Sequence, residues 1–369
     1  LVKPWRTSQM KKSLIALAAL AATSAFAQSS VQVVGTFDPS IANSSTTYLG
    51  GKVSNTFIRN NSQGTSQITF KGTEDLGGGL KASFLLENDF DTRYDANGPM
   101  GLTAAGTKGN NLGSGGGEQF LAIEGGMGKL QVGAANTPSL TAQASRQPFS
   151  TKIGGGFGGV MGTSHVRSNN SLVYTSPVMG GFSLAVGYGI KQNANAFGAA
   201  ALASDTDLGG KATTQSSTVA QMASITDIGA FYANGPLSAG VTQWTTSATA
   251  ASVKTEQTNA FVSYDLGVAR LIAGGHKEKK VGAIDAQGYN LAAVVPFSAN
   301  LSLLANTGKL NSKLATNLDK KITAVGLKYT MSKMTSVYAR YVNEVNDNVT
   351  SASSATGVKT TLVGMQTNF

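Results

Sequence analysis

The sequence predicts an all-β fold: a transmembrane antiparallel β-barrel of about 16 strands, with short turns at one rim and long loops at the other. Two observations carry this. Segments of about 8–10 residues alternate apolar and polar with a period of two. Short turns rich in Gly, Pro, Asn, Asp and Ser alternate with long polar stretches. No sustained helical period is read after Gln28.

Taken in chain order, the first element is a leader. "MKKSLIALAALAATSAFAQ" begins at Met10. Lys11 and Lys12 form a basic start, Leu14 to Ala22 an apolar run, and Ala25-Phe26-Ala27 a small-residue cleavage site. This pattern predicts a secretory signal peptide cut before Gln28. The apolar run is too short for a membrane span, which needs about 20 residues. Leu1 to Gln9 precede a plausible start Met. The expected division is therefore 1–27 as upstream residues plus signal, and 28–369 as barrel.

The strands follow. In "SQITFKG", Ile68 and Phe70 oppose Gln67, Thr69 and Lys71. "GTEDLGGGLKASFLLEND" (Gly72–Asp89) reverses the chain and opens another alternating run. In "GFSLAVGYGI", Phe182, Leu184, Val186, Tyr188 and Ile190 share one face. In "VYARY", Val337, Ala339 and Tyr341 oppose Tyr338 and Arg340, and the chain ends on alternation through Phe369. Tight turns are expected at Thr73–Gly79, Gly125–Lys129, Ser176–Gly181, Ala233–Leu237, Asp265–Val268, Pro296–Asn300 and Met331–Met334. Long loops are expected near Pro39–Gln63, Asn88–Gly117, Ala134–Val166, Lys191–Gln221, Thr245–Glu256, His276–Gln287, Gly308–Asp319 and Asn343–Gly357. In lipid every backbone polar group must be paired within the protein, so such a sheet must close. Tyr188, Tyr264, Tyr329 and Phe369, near strand ends, suit the interfacial aromatic girdle.

Composition narrows the chemistry. The chain has no Cys, which excludes thiol catalysis, thiolate metal sites and disulfides. With only His165 and His276, a His-built metal site is not expected, and no cofactor is expected either. Removal of the leader takes four cations and no acid, lowering the formal charge from +10 to +6. No basic cluster interleaves with aromatics, so nucleic acid is not an expected partner. An outer-membrane protease or lipase needs a base beside a nucleophile; neither histidine stands in such a setting, and no catalytic residue is assigned.

Several motifs resemble those of the trimeric general porins of β-proteobacteria. They are "GTEDLGGGLKASFLLE", Arg167 to Tyr174 leading to Ser176-Pro177, "YANGPLSAG", "SYDLGVARLIAG" and "YTMSKMTSVYARY". The terminal Phe369 fits the aromatic residue that the barrel-assembly machinery recognises in such proteins. The resemblance spans Gln28–Phe369. It implies a homotrimer in the outer membrane of a Gram-negative cell, among outer-membrane lipid and lipopolysaccharide. It also implies passive diffusion of small hydrophilic solutes and ions, and a third long loop folded into the pore.

That loop is Ala134–Val166. Between Gly125 and Ser204 the only charges are Lys129, Arg146, Lys152, Arg167 and Lys191. Basic constrictions favour anions. Parity points Arg167, Lys71, Lys81, Lys328 and Arg340 inward, with Glu87 and Glu118 offsetting them. Those seven, with Arg146 and Lys152, are the expected pore-lining set. Three wall positions where the family often carries a base are Gln67, Gly117 and Ala134 here, so any anion preference is expected to be weak. The alternative is a substrate-specific channel, but the third loop has only Phe149 and Phe157 to offer as a stacking path. "IGGGFGGVMG" (Ile153–Gly162) fits a dinucleotide fingerprint by letter but lacks the strand–helix setting. It reads as loop backbone packed closely inside a barrel.

Overall fold

The computed structural model describes residues 30–90, 92, 117–155, 167, 170–190, 224–247, 253–282, 284–314, 319–347, 349 and 355–369. The leader, His165, Phe157 and most of the loops expected at Asn88–Gly117 and Lys191–Gln221 lie outside the described residues.

Eighteen strand segments form one antiparallel sheet. β1 (Ser30–Phe37) and β2 (Pro39–Tyr48) are halves of one wall strand, interrupted at Asp38. β3 (Gly51–Asn60) and β4 (Gln67–Gly77) are halves of the next, interrupted at residues 61–66. Then come β5 (Leu80–Asp89), β6 (Gln119–Gly125), β7 (Gly128–Ala134), β8 (Ser171–Thr175), β9 (Phe182–Gly189), β10 (Ile225–Asn234) and β11 (Leu237–Thr246). β12 (Thr255–Asp265), β13 (Arg270–Lys280), β14 (Ile284–Pro296), β15 (Leu301–Ser312), β16 (Lys320–Thr330), β17 (Thr335–Asn346) and β18 (Ala355–Asn368) complete the wall. From β4 onward each strand pairs with the next, and β18 returns to β1 and β2. With each interrupted strand counted once, this is a closed barrel of 16 strands. Closure leaves no strand edge in the lipid.

The two faces of the wall differ as period-two alternation requires. On β9, Leu184, Val186 and Tyr188 are exposed, while Ala185 and Gly187 are buried. Tyr264, Tyr329 and Phe369 are also exposed, on the outward face. The outside is thus apolar with aromatics toward its edges, the surface a bilayer solvates.

The seam is specified by a glycine. Gly35 N–H donates to the Phe369 carbonyl at 2.9 Å, and Phe369 N–H donates back to the Gly35 carbonyl at 3.0 Å. The Phe369 ring then lies over Gly35: a Cβ there would stand 2.3 Å from its Cζ. It would also stand 2.7 Å from the Gln67 carbonyl oxygen, so a larger residue would force the ring and the strand to shift.

All seven short turns fall where the pattern puts them. The sequence Asp-Leu-Gly closes two of them by the same device. Asp75 Oδ1 accepts from Gly77 N–H at 2.9 Å, and Asp265 Oδ1 accepts from Gly267 N–H at 2.8 Å, with both glycines at φ 81. Asp75 thus closes the end of β4 at one rim, with Glu74 the strand residue before it.

Two expected loops are strand instead. Pro39–Gln63 contains β2, a two-residue turn and β3. Its run Ser44-Ser45-Thr46-Thr47 is polar on both faces, so it shows no period, yet it pairs along its length with β3 and β18. His276–Gln287 is mostly the ends of β13 and β14. His276 does not open a loop; it is buried on the inward face, with Nδ1 2.7 Å from Asn259 Oδ1 and Nε2 3.6 Å from Glu278 Oε2.

Candidate functional site

The third long loop enters the barrel. After β7 it forms a helix, α1 (Pro138–Arg146), the one helix among the described residues. The sequence pattern missed it, although its start signal is present: Thr137 caps and Pro138 takes the first position. Thr137 Oγ1 accepts from Leu140 N–H at 3.2 Å. A second cap comes from the wall. Asp227 on β10 accepts from Ser139 N–H at 2.8 Å and from Ser139 Oγ at 2.7 Å, and is fully buried by the helix. A carboxylate at a helix N-terminus also meets the positive end of the helix dipole.

The loop then reaches the opposite wall. Phe149, 1% exposed, packs against Leu304, Ile322, Ala324 and Val342 on the inward faces of β15, β16 and β17. Gln147 and Asn290 exchange amide hydrogen bonds at 3.2 and 2.7 Å. Asn306 Nδ2 donates to the Gly154 carbonyl at 2.9 Å. Gly154 has φ 90, and a Cβ there would stand 2.9 Å from that of Ala324. The glycine-rich run is thus close-packed backbone at this point, as read from sequence.

The gap between β3 and β4 supplies a third attachment. Asn61, at φ 60, turns the chain inward. Asp38 Oδ2 gathers the Gln63 and Gly64 N–H groups at 2.6 and 2.8 Å, and the Tyr338 hydroxyl donates to Asp38 Oδ1. Lys152 Nζ then donates to Thr65 Oγ1 at 2.5 Å, tying the loop to this inward bend. Arg340 joins both: it donates to the Ser62 carbonyl and, at 3.1 Å, to the Ile153 carbonyl. Its guanidinium sits 4.8 Å from the Phe149 ring centre and 5.2 Å from that of Tyr338.

The expected site residues fall into three groups. Arg167, Lys152, Glu87 and Glu118 come together where the loop leaves the wall. Arg167 Nη1 donates to Asn136 Oδ1 at 2.9 Å. Asn136 donates to Glu118 twice, from its N–H at 2.9 Å and its Nδ2 at 3.1 Å. Gln67 Nε2 donates to Glu87 Oε2 at 2.6 Å. Asp89, two residues from Glu87 on the same face, joins this cluster and was missed from sequence, although parity alone places it there. Burial raises the Glu118 carboxyl above the ordinary glutamate value of 4.5, against the pull of the Asn136 N–H. Burial likewise lowers the Lys152 ammonium, against the attraction of Asp89.

Lys71, Lys81 and Lys328 form the second group, on inward registers nearer the short-turn rim. Lys71 and Lys81 are exposed; Lys81 stands in a row with Asp75, Glu124 and Lys129. Arg340 stands alone. It faces inward but is 5% exposed under the loop. It is a clamp for the loop and is not open to a passing solute. Arg146 closes α1, and its side chain lies outside the described residues. Phe149 is seated in the wall and offers no stacking surface.

The comparisons with known proteins agree with this geometry. A family model described as "Gram-negative porin" matches residues 13–349. Outer membrane porin protein 32 of Delftia acidovorans is 29% identical over 351 residues, covering 89% of this chain and 88% of its own. Major outer membrane protein P.IB of Neisseria gonorrhoeae is 34% identical over 197 residues, 51% of each chain. Among solved structures, an anion-selective porin from Comamonas acidovorans superposes with a TM-score of 0.67 at 23% identity, covering 93% of this chain and 100% of that one. OmpT of Vibrio cholerae gives 0.61 at 13% identity over 92% and 98%. At such identities the likeness is one of fold. With its closed 16-strand wall, inward third loop and family match across most of its length, the chain belongs to the Gram-negative porin family and is an outer-membrane pore.

Proposed function

We propose that the protein is a general diffusion pore for small hydrophilic solutes and ions, with a weak preference for anions and no enzymatic role. The observation that carries this is the inward face: charges of both signs surround a loop clamped across the lumen. The carboxylates Glu87 and Glu118 are engaged by wall and loop amides, while Lys71 and Lys81 stand exposed. Fixed cations in a confined path favour anions. The nearby carboxylates keep that preference small. Planar-bilayer conductance tests the reading: current should scale with salt conductivity and show no saturation by any single solute. Saturable block by one sugar or amino acid would favour a substrate-specific channel.

The leader through Ala27 acts as a cleaved signal peptide, and Phe369 presents the barrel to the assembly machinery. The protein works as a homotrimer. The apolar outward residues beside the seam support this, with Val31, Val33, Ile41, Val363 and Met365 all more than half exposed or at half. Lipopolysaccharide and other outer-membrane lipid cover the remaining outer wall.

A further inference from the structure

The inward wall of β10 to β13 holds a histidine and a carboxylate that the pore does not use. Cross-strand pairing sets Asp227, Trp244, Gln257 and Glu278 in one row, and Thr242, Asn259 and His276 in the next. All seven are buried. The His276 side chain is 0% exposed and that of Glu278 11%, so the pair opens to the lumen only on the Glu278 side. The loop helix lies along this wall. It starts at Asp227 on β10 and packs on β9 to β12, and Gln147, just past its end, reaches Asn290 on β14.

Hydrogen bonding fixes which atoms of the pair face each other. Asn259 Nδ2 donates to Thr242 Oγ1 at 3.4 Å, which turns Asn259 Oδ1 toward His276 Nδ1 at 2.7 Å. Nδ1 therefore carries the proton, and Nε2 of the neutral ring presents a lone pair. Nε2 is buried without a hydrogen-bond partner. Glu278 Oε2, also an acceptor, faces it at 3.6 Å. Among the described residues, no lysine or arginine lies within 4.0 Å of Glu278. Two buried acceptors aimed at each other stay unsatisfied unless a cation stands between them. The separation selects the cation. It is too long for a proton shared in a hydrogen bond, which needs about 2.7–3.2 Å. Two ligand atoms each about 2.0–2.2 Å from a tetrahedral zinc ion lie about 3.3–3.6 Å apart. The contact from Nδ1–H to an amide oxygen is of the kind that orients a metal-binding imidazole. The negative end of the α1 dipole also points toward this side of the wall.

We propose that His276 Nε2 and Glu278 Oε2 bind a divalent transition ion of the zinc class, with lumenal water completing its coordination. The chain's two histidines are too few for a site of histidines alone, and the carboxylate two residues on supplies the second ligand. An imidazole beside a carboxylate selects zinc, nickel or copper over calcium and magnesium, which take oxygen ligands. With two protein ligands in place of three or four, the ion is held less tightly than at a structural zinc site. Once bound, it adds positive charge to the lumenal wall beside α1.

The test is equilibrium dialysis of the untagged barrel, in mild detergent near neutral pH, against zinc chloride, with bound metal read by atomic absorption. The wild type should take up one zinc ion per chain, displaced by nickel and not by calcium. His276→Asn and Glu278→Gln should each bind at least about tenfold more weakly, the loss that even an orienting partner causes. His165→Asn should match the wild type. Circular dichroism of wild-type strength identifies each variant as a folded barrel, and either site variant alone decides the question if the other does not fold. Zinc binding by the folded site variants within about twofold of wild type, displacement by calcium, or loss on His165→Asn instead would overturn the proposal. Absence of zinc uptake by the wild type would overturn it too, and would assign the gap to a proton on Nε2.

Discussion

Two parts of the third loop are held by different physics. At its start, α1 is fixed by directional polar contacts: Asp227 and Thr137 each satisfy N–H groups of the first turn. Across the lumen, Phe149 is fixed by an apolar seat on β15 to β17, with Arg340 laid across it. The near anchor specifies where the helix begins and which way it points. The far anchor removes a whole aromatic side chain from water, worth about 1.5–3 kcal/mol. The exposed cations lie in a different part of the lumen from both anchors. The loop's position and the channel's selectivity are therefore separable.

The largest break in this comparison should come from Phe149→Ala. It empties a filled seat and should cost about 3–5 kcal/mol, releasing the far end. Single-channel conductance should rise and become noisy, while the wall still forms. Unchanged conductance would mean that the amide contacts at Gln147 and Gly154 hold the loop by themselves. Asp227→Asn should have a smaller effect, about 1–2 kcal/mol, and should loosen the helix without freeing the loop. Protease accessibility near Pro138 should increase, with conductance changed less than in Phe149→Ala. The reverse order of the two variants would invert the assignment of the anchors.

The smallest effect is on acidification. Burial raises Glu118 above the ordinary glutamate value of 4.5, so this cluster carboxylate begins to lose charge as pH falls toward that value. Anion preference should therefore grow as pH drops from 7 toward 5. Reversal potentials in the same salt gradient at both pH values would check this, and a shift toward cations would contradict it.

The wall was legible because lipid outside and water inside impose a period of two wherever a strand crosses the bilayer. Leu184, Val186 and Tyr188 show it plainly. It fails where a strand rises beyond the hydrocarbon. There Ser44 to Thr47 and Lys277 to Lys280 are polar on both faces, and strand reads as loop. The loop's helix announced itself only through Thr137-Pro138, too brief a signal against a sheet background. Its partners could not be read at all. Nothing in the sequence around Asp227 says that its carboxylate caps a helix 88 residues earlier, because that pairing is made by barrel closure. Arg340 shows the same limit: parity gave its face, but only the folded loop shows that it is covered. Asp38 is a lone acid in sequence and the organiser of the inward bend in space.

A weakly anion-preferring pore thus takes its selectivity from exposed lumenal cations, Lys71 and Lys81, that stand apart from the contacts clamping the loop. Reversal potential across a planar bilayer with a KCl gradient tests it most directly, on wild type and on Lys71→Gln/Lys81→Gln. The account predicts a small anion preference in the wild type that moves toward cations in the double variant, with conductance largely kept. A wild type that prefers cations, or a double variant with the wild-type reversal potential, would contradict it.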